Sequence, residues 1–249
     1  MLLQDYSAYT ADDQAVWSIL YKRQQRAIEH VAYPQFSMSL KQLGMSEYSI
    51  PEFSILNKRL KKLTCWTIYA VPGLISNDQF FKLMLFRRFG ATTWIRKKSQ
   101  LDYLEEPDMF HDIFGHVPLL ADPRIAEYLL GLASIADKYI DREEIIEQIA
   151  RLYWYTIEFG LVKENDAVKI YGAGILSSIG ETSYSLAKEA KHVPFDLQTI
   201  IQTPYIKDNY QAQYFVLENM NQLPQAVTEL RTILQNQTKA RHFQETSLD

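Results

Sequence analysis

The chain has 249 residues, enough for one large domain or two small ones, and a chain of this length can bury about 70–75% of its unfolded surface. Hydrophobic residues make up 47%, and the net charge of −4 comes with both signs interspersed. That balance argues against nucleic acid as the main partner, because phosphate binding needs concentrated Lys and Arg.

Cys65 is the only cysteine, so no intrachain disulfide can form and a reducing cytoplasm is the expected setting. The start, Met1-Leu2-Leu3-Gln4-Asp5-Tyr6, lacks the basic flank and apolar run of a signal peptide. No stretch reaches the roughly 18 apolar residues of a membrane span.

Taken in chain order, helical periodicity dominates. Thr10-Ala11-Asp12-Asp13 predicts a capping box, after which Val16, Trp17, Leu20, Ala27, Ile28 and Val31 mark one helix face. Ser49-Ile50-Pro51-Glu52 predicts a second start, with Phe53, Leu56, Leu60 and Leu63 as its stripe. The basic cluster Lys58, Arg59, Lys61 and Lys62 then falls on the solvated face of that helix. Another helix is expected after Ser76-Asn77-Asp78, stopping near Gly90. Two long patterns follow, Pro123 to Tyr139 and Arg142 to about Phe159, and a last one runs from Asn221 to about Gln235. Strands are expected at Cys65 to Val71, Thr92 to Arg96 and Ala167 to Tyr171, and the polar tail after Thr238 is expected to be disordered. No repeat or Gly/Ser/Pro linker divides the chain, so the reading is one mainly α domain, residues 1–249, with a few short β-strands.

What is missing narrows the chemistry. There is no phosphate-binding loop, no Gly-x-Gly-x-x-Gly turn and no Gly-x-Ser-x-Gly nucleophile elbow; Gly172-Ala173-Gly174 lacks the third glycine of a dinucleotide turn.

The informative run is Glu106-Pro107-Asp108-Met109-Phe110-His111-Asp112-Ile113-Phe114-Gly115-His116-Val117-Pro118, which holds two of the five histidines. Five steps of about 100° place His111 and His116 about 140° apart on a regular helix. To share a metal they need a departure from that helix, and Gly115 and Pro118 permit one. Alone, the pair is a weak signal, and two unrelated polar histidines in a surface loop is the better reading. A third ligand is available in Tyr153-Trp154-Tyr155-Thr156-Ile157-Glu158-Phe159, where Glu158 sits in an aromatic run. A buried carboxylate there needs a cation or metal; otherwise Glu158 faces solvent or pairs with an arginine. Two imidazoles and one carboxylate with open positions suit non-haem Fe(II). Zinc hydrolase chemistry uses the same ligand types, although the helical His-Glu-x-x-His signature is absent.

At these residues the sequence resembles the biopterin-dependent aromatic amino acid hydroxylases, and among them the bacterial single-domain phenylalanine hydroxylases. The likeness is carried in family order by Pro72-Gly73-Leu74-Ile75-Ser76, Phe89 to Arg96, Glu106 to Pro118, Tyr153 to Leu161 and Tyr171 to Glu181. It implies Fe(II) held by His111, His116 and Glu158. Tetrahydrobiopterin or a related tetrahydropterin would be co-substrate with O2, stacked on Phe80, touching Gly73, Leu74, Ile75 and Ser76, with Tyr153 nearby and Asp112 in reach. By the same resemblance Arg96 grips the substrate carboxylate, a role its planar fork suits. Trp154 packs near the substrate ring, Ser177 lies at the substrate, and Ser177 with Glu181 orients His111. Read without the resemblance, Phe80 and Trp154 are core aromatics, Arg96 a surface ion pair, Ser177 a helix cap and Glu181 a solvated side chain.

Two departures stand out. Asp112 replaces the Glu of the animal enzymes, and Leu104-Glu105 replaces Thr-Pro, which puts substrate contacts there in doubt. The implied activity is hydroxylation of an aromatic amino acid, phenylalanine first, with tryptophan or tyrosine as the alternative. A different class of reading is a non-catalytic metal- or ligand-binding module on the same fold. The implied assembly is a monomer or weak dimer, without the regulatory domain or tetramer helix of the animal enzymes.

Overall fold

A computed structural model describes residues 2–246, except Tyr103, Glu105 and Asp208, with side chains as far as Thr238. Residues 247–249, the end of the expected disordered tail, lie outside the described residues. The architecture is mainly α with short strands, as the sequence predicts.

Helix α1 (Ala11–Ile28) opens with the predicted box, Thr10 Oγ1 accepting from Asp13 N while the Asp13 carboxylate accepts from Thr10 N. Val16, Trp17, Leu20, Tyr21, Gln24 and Ile28 form its buried face. Helices α2 (Pro34–Gln42) and α3 (Phe53–Leu63) follow. Pro51 lies before α3 rather than in its first turn, and Leu63 is exposed while Phe53, Leu56 and Leu60 are buried. Lys58, Lys61 and Lys62 are exposed, as expected of a solvated face.

Strand β1 (Thr67–Val71) leads to α4 (Asn77–Leu85), which Ser76 caps by accepting from Gln79 N. The helix ends at Leu85, short of Gly90. Arg87 takes a left-handed backbone (φ 54°) and turns the chain into β2 (Arg88–Thr92), where Gly90 pairs in parallel with Tyr69. The expected strand at Thr92 to Arg96 is thus shifted upstream, because pairing with β1 sets its register.

A π-helical segment, His111–His116, runs into α5 (Val117–Leu120) and then α6 (Pro123–Lys138), capped by Asp122. Helix α7 (Glu143–Tyr153) continues into a second π-helical segment, Trp154–Glu158. Strands β3 (Leu161–Glu164) and β4 (Ala167–Ile170), helices α8 (Ala173–Leu176) and α9 (Ile179–Tyr184), β5 (His192–Pro194), α10 (Leu197–Gln202), β6 (Tyr214–Leu217) and α11 (Gln222–Thr246) complete the chain. Helix α11 runs past the expected end at Gln235 and into the stretch expected to be disordered.

The second sheet has the order β4-β3-β6-β5, antiparallel between β3 and β4 and parallel elsewhere. Sequence pattern missed β3, β5 and β6: each is three or four residues long, and β6 is buried throughout, so no alternation marks it. Helix α6 packs between α4 and α11, and α8 lies against both π segments. That last contact positions the site.

Candidate active site

Two breaks in helical regularity create the centre. In the first, Val117 N donates to the carbonyl five residues back, Asp112 O, widening the turn. Pro118 follows and has no N–H with which to restore the regular ladder. The widening brings His111 and His116 onto one face, their ring centroids 4.8 Å apart. The second segment closes with Phe159 N donating to Trp154 O at 2.9 Å, and Glu158 is its last residue. Helix α8 approaches both closely. A Cβ on Gly115 would lie 2.9 Å from Ala173 O and would force a shift, and one on Gly174 would lie 3.1 Å from Glu158 O, a tight fit.

His111, His116 and Glu158 converge. Nε2 of His111 and Nε2 of His116 are 3.1 Å apart, His116 Nε2 is 3.1 Å from Glu158 Oε1, and His111 Nε2 is 3.7 Å from Glu158 Oε2. Ligands about 2.1 Å from a metal and at right angles stand about 3 Å apart, so this triangle fits three cis positions of one ion. Among the described residues, these three form the one such group of His, Cys, Asp or Glu.

Hydrogen bonding and burial suit His111 to the task. The Ser177 hydroxyl donates to Ala173 O at 2.8 Å, so its oxygen accepts from His111 Nδ1 at 2.9 Å. That fixes the tautomer, leaving the His111 Nε2 lone pair on the triangle. Burial pushes His111 down to about 4, which keeps it neutral. Burial alone would raise Glu158, but His116 and His111 beside it hold its carboxyl below the usual range. Burial likewise opposes charge on His116, yet the Glu158 carboxylate outweighs it and raises the imidazole. The carboxylate thus draws positive charge to the centre of the triangle. His111 and Glu158 line a cavity of about 590 Å³, together with Arg96, Pro107, Phe110, Trp154 and Ser177, and His116 is buried behind them.

The family model for biopterin-dependent aromatic amino acid hydroxylases matches residues 5–247. The chain belongs to that family. It is 44% identical over 221 residues to the phenylalanine-4-hydroxylase of Ralstonia nicotianae, covering 88% of this chain and 70% of that one. Among solved structures it resembles Chromobacterium violaceum phenylalanine hydroxylase holding iron(III) and 7,8-dihydrobiopterin, with a TM-score of 0.88, 42% identity, and 94% and 86% of the two chains covered. The iron- and phenylalanine-bound structure of that enzyme gives a TM-score of 0.85 at 42% identity, covering 90% and 82%.

In this hydroxylase the residues expected at the substrate line the cavity, and those expected at the pterin, Leu74 apart, do not. Arg96, Trp154 and Ser177 all line the cavity. Arg96 is not a surface ion pair: its Nε and Nη2 bind both oxygens of Asp108 at 2.9 and 2.8 Å, and the Asp108 side chain is fully buried. Asp108 also accepts from His111 N, tying the guanidinium to the metal-ligand segment. Trp154 stacks on Tyr205 (4.4 Å, 18°) and donates through Nε1 to Gln211 at 2.9 Å. Leu104 lines the cavity too, while Glu105 lies outside the described residues.

Of the residues expected at the pterin, Leu74 alone lines this cavity, and it is 73% exposed. Gly73 and Ile75 are half-buried, and Ser76 caps α4. Phe80 is half-buried and stands edge-on to Tyr153 at 5.2 Å; Tyr153 in turn bonds Glu158.

Two expectations change. Asp112 is buried, and its Oδ2 accepts from Thr92 N and Oγ1 at 2.8 and 2.9 Å, leaving one oxygen for any other partner. Burial pushes its carboxyl up to about 6. Glu181 does not orient His111. Ser177 does so alone, and Glu181 Oε2 instead accepts from Tyr214 at 2.5 Å.

Sequence reading also missed Asp108, Gln211 and Gln24. Gln24 interrupts the apolar stripe of α1 between Leu20 and Ile28, which is a readable signal. Gln211 sits in an irregular segment with none.

Proposed function

We propose that this chain is a phenylalanine 4-monooxygenase, converting L-phenylalanine to L-tyrosine with O2 and a tetrahydropterin at Fe(II) held by His111, His116 and Glu158. The observation that carries the reading is the convergence of three ligand side chains, 3.1–3.7 Å apart, two of which, His111 and Glu158, line a cavity with Arg96. Iron and pterin together supply the activation of O2 that no side chain provides.

The chain's own residues position and exclude. Ser177 holds His111 in the ligating tautomer. Asp108 presents Arg96, whose remaining donors are free for the substrate carboxylate. Trp154, held by Gln211 and Tyr205, forms the slot for the aromatic ring and keeps water from it. Phe80 and Tyr153, with the Gly73 to Ser76 loop, form the pterin side, and the free oxygen of Asp112 reaches it through water.

The same reading takes residues 1–249 as one catalytic domain, working in the cytoplasm as a monomer or weak dimer, without nucleic acid. A single cysteine, exposed Cys65, supports a reducing compartment.

The test is oxygen-dependent tyrosine formation by Fe(II)-loaded protein with tetrahydropterin, beside Glu158→Ala. Tyrosine from the parent and none from the variant is expected. Preferred turnover of tryptophan or tyrosine in competition would reassign the substrate, and no hydroxylation of any of the three would favour a binding module.

A further inference from the structure

The first π segment has a cause in its own sequence, Pro118 just beyond it. The second has none of that kind. Trp154-Tyr155-Thr156-Ile157-Glu158 contains neither proline nor glycine, and Gly160 beyond it keeps its N–H and forces nothing. Without such a residue, a helix departs from regularity where a side chain enters its carbonyl ladder. Thr156, at the middle of the segment and fully buried, is that side chain. Its Oγ1 lies 2.6 Å from Leu152 O, one turn back in α7, and 3.4 Å from Tyr153 O. A hydroxyl bonded back to the carbonyl four residues earlier bends a helix.

Thr156 does not act alone. Tyr128, on α6 and also fully buried, has its hydroxyl 3.0 Å from Thr156 Oγ1. The direction of that bond follows from the protons available. A carbonyl only accepts, so the one Thr156 proton goes to Leu152 O, and Tyr128 donates to Thr156. Burial raises the Tyr128 phenol above its ordinary value, which keeps it a donor. The anchor of this chain of bonds is a long helix, capped by Asp122 and packed against α4, α7 and α11. Packing gives little reason for two hydroxyls here, because a pair of apolar side chains of the same shape would serve stability nearly as well. What the pair adds is direction, and Glu158 is two residues further on.

We propose that Tyr128 and Thr156 are positioning residues for the metal centre, their hydrogen bond holding the widened turn that brings Glu158 to His116. This rests on the iron site of the reading above. His111 and His116 are set by the other π segment, so loss of the lock misplaces one ligand of three. Iron binding should weaken without disappearing, unlike the outcome for Glu158→Ala.

The experiment measures Fe(II) affinity by competition with a chelator, and urea unfolding of the metal-free protein, for the parent and four variants. Thr156→Val and the double variant Tyr128→Phe/Thr156→Val should bind Fe(II) about 10- to 100-fold more weakly than the parent. Tyr128→Phe should move the same way by less, and Thr156→Ser, which keeps the hydroxyl, should stay within about threefold. The double variant leaves neither hydroxyl unpaired, so its metal-free unfolding midpoint should lie near the parent's while its iron affinity does not. A packing role would not produce that split, and the double variant decides the matter if a single one does not fold. Parent-like iron affinity in the double variant overturns the proposal, as does a Thr156→Ser loss as large as that of Thr156→Val. A parent that binds no Fe(II) overturns the iron site itself.

Discussion

Ser177 shows how much one hydroxyl can decide. Its proton is committed to Ala173 O, so its oxygen must accept from His111 Nδ1. Ser177→Ala removes that acceptor and releases the ring to rotate or change tautomer. Iron affinity should fall about 10- to 100-fold, measured by competition with a chelator, while overall fold is retained. Glu181 carries a second residue-scale consequence. Its folded pKa of about 7 lies above the usual carboxyl value of 4.5, so the substrate-free folded state holds a proton that the unfolded chain has lost. Folded-state stability from this group is therefore full below about pH 4.5 and declines as pH rises to about 7. The loss is on the order of 3 kcal/mol. Glu181→Gln should flatten that slope in urea unfolding across pH 4.5–7.5; an unchanged slope would place the titration elsewhere.

At the scale of elements, the two π segments and the short α8 form one unit. Gly115 faces Ala173 at the start of α8, and a methyl there meets backbone rather than a flexible side chain. Gly115→Ala should cost about 1–3 kcal/mol and shift α8, with Ser177 beyond it, away from His111. Thermal unfolding and iron affinity should thus fall together. This unit was partly legible in the sequence. A five-residue histidine spacing cannot share a helix face, so the break between His111 and His116 follows from arithmetic. The break at Trp154–Glu158 carries a single ligand and offers no such contradiction, and the pattern there continues α7 without a seam. The Thr10 box and the stripe of α1 were readable because both ends of each interaction lie within a few residues. Glu181 was misread for the opposite reason: its partner, Tyr214, lies 33 residues away on a strand too short to predict.

At the scale of the molecule, the triad joins segments more than 40 residues apart, and a metal bound there ties them together only in the folded state. Fe(II) should therefore stabilise by linkage. At about a hundred times its Kd the gain is about 2.7 kcal/mol, which for a chain of this length raises Tm by about 5–10 °C. Chelation should reverse the shift, and Glu158→Ala should abolish it. A Tm indifferent to iron would mean the three side chains do not act as one site.

Each π turn is an α-helix carrying one surplus residue, and that has a consequence for how the chain tolerates change in length. Beyond the surplus residue every side chain is rotated by about 100° relative to an uninterrupted helix. The face that α5 presents to α2 and α6, and the direction in which Phe159 leads into β3, are set in that rotated phase. Deleting one residue between His111 and His116 would not merely separate two ligands. It would put everything downstream out of phase with its neighbours, so this region should accept substitutions far more readily than any change in residue count.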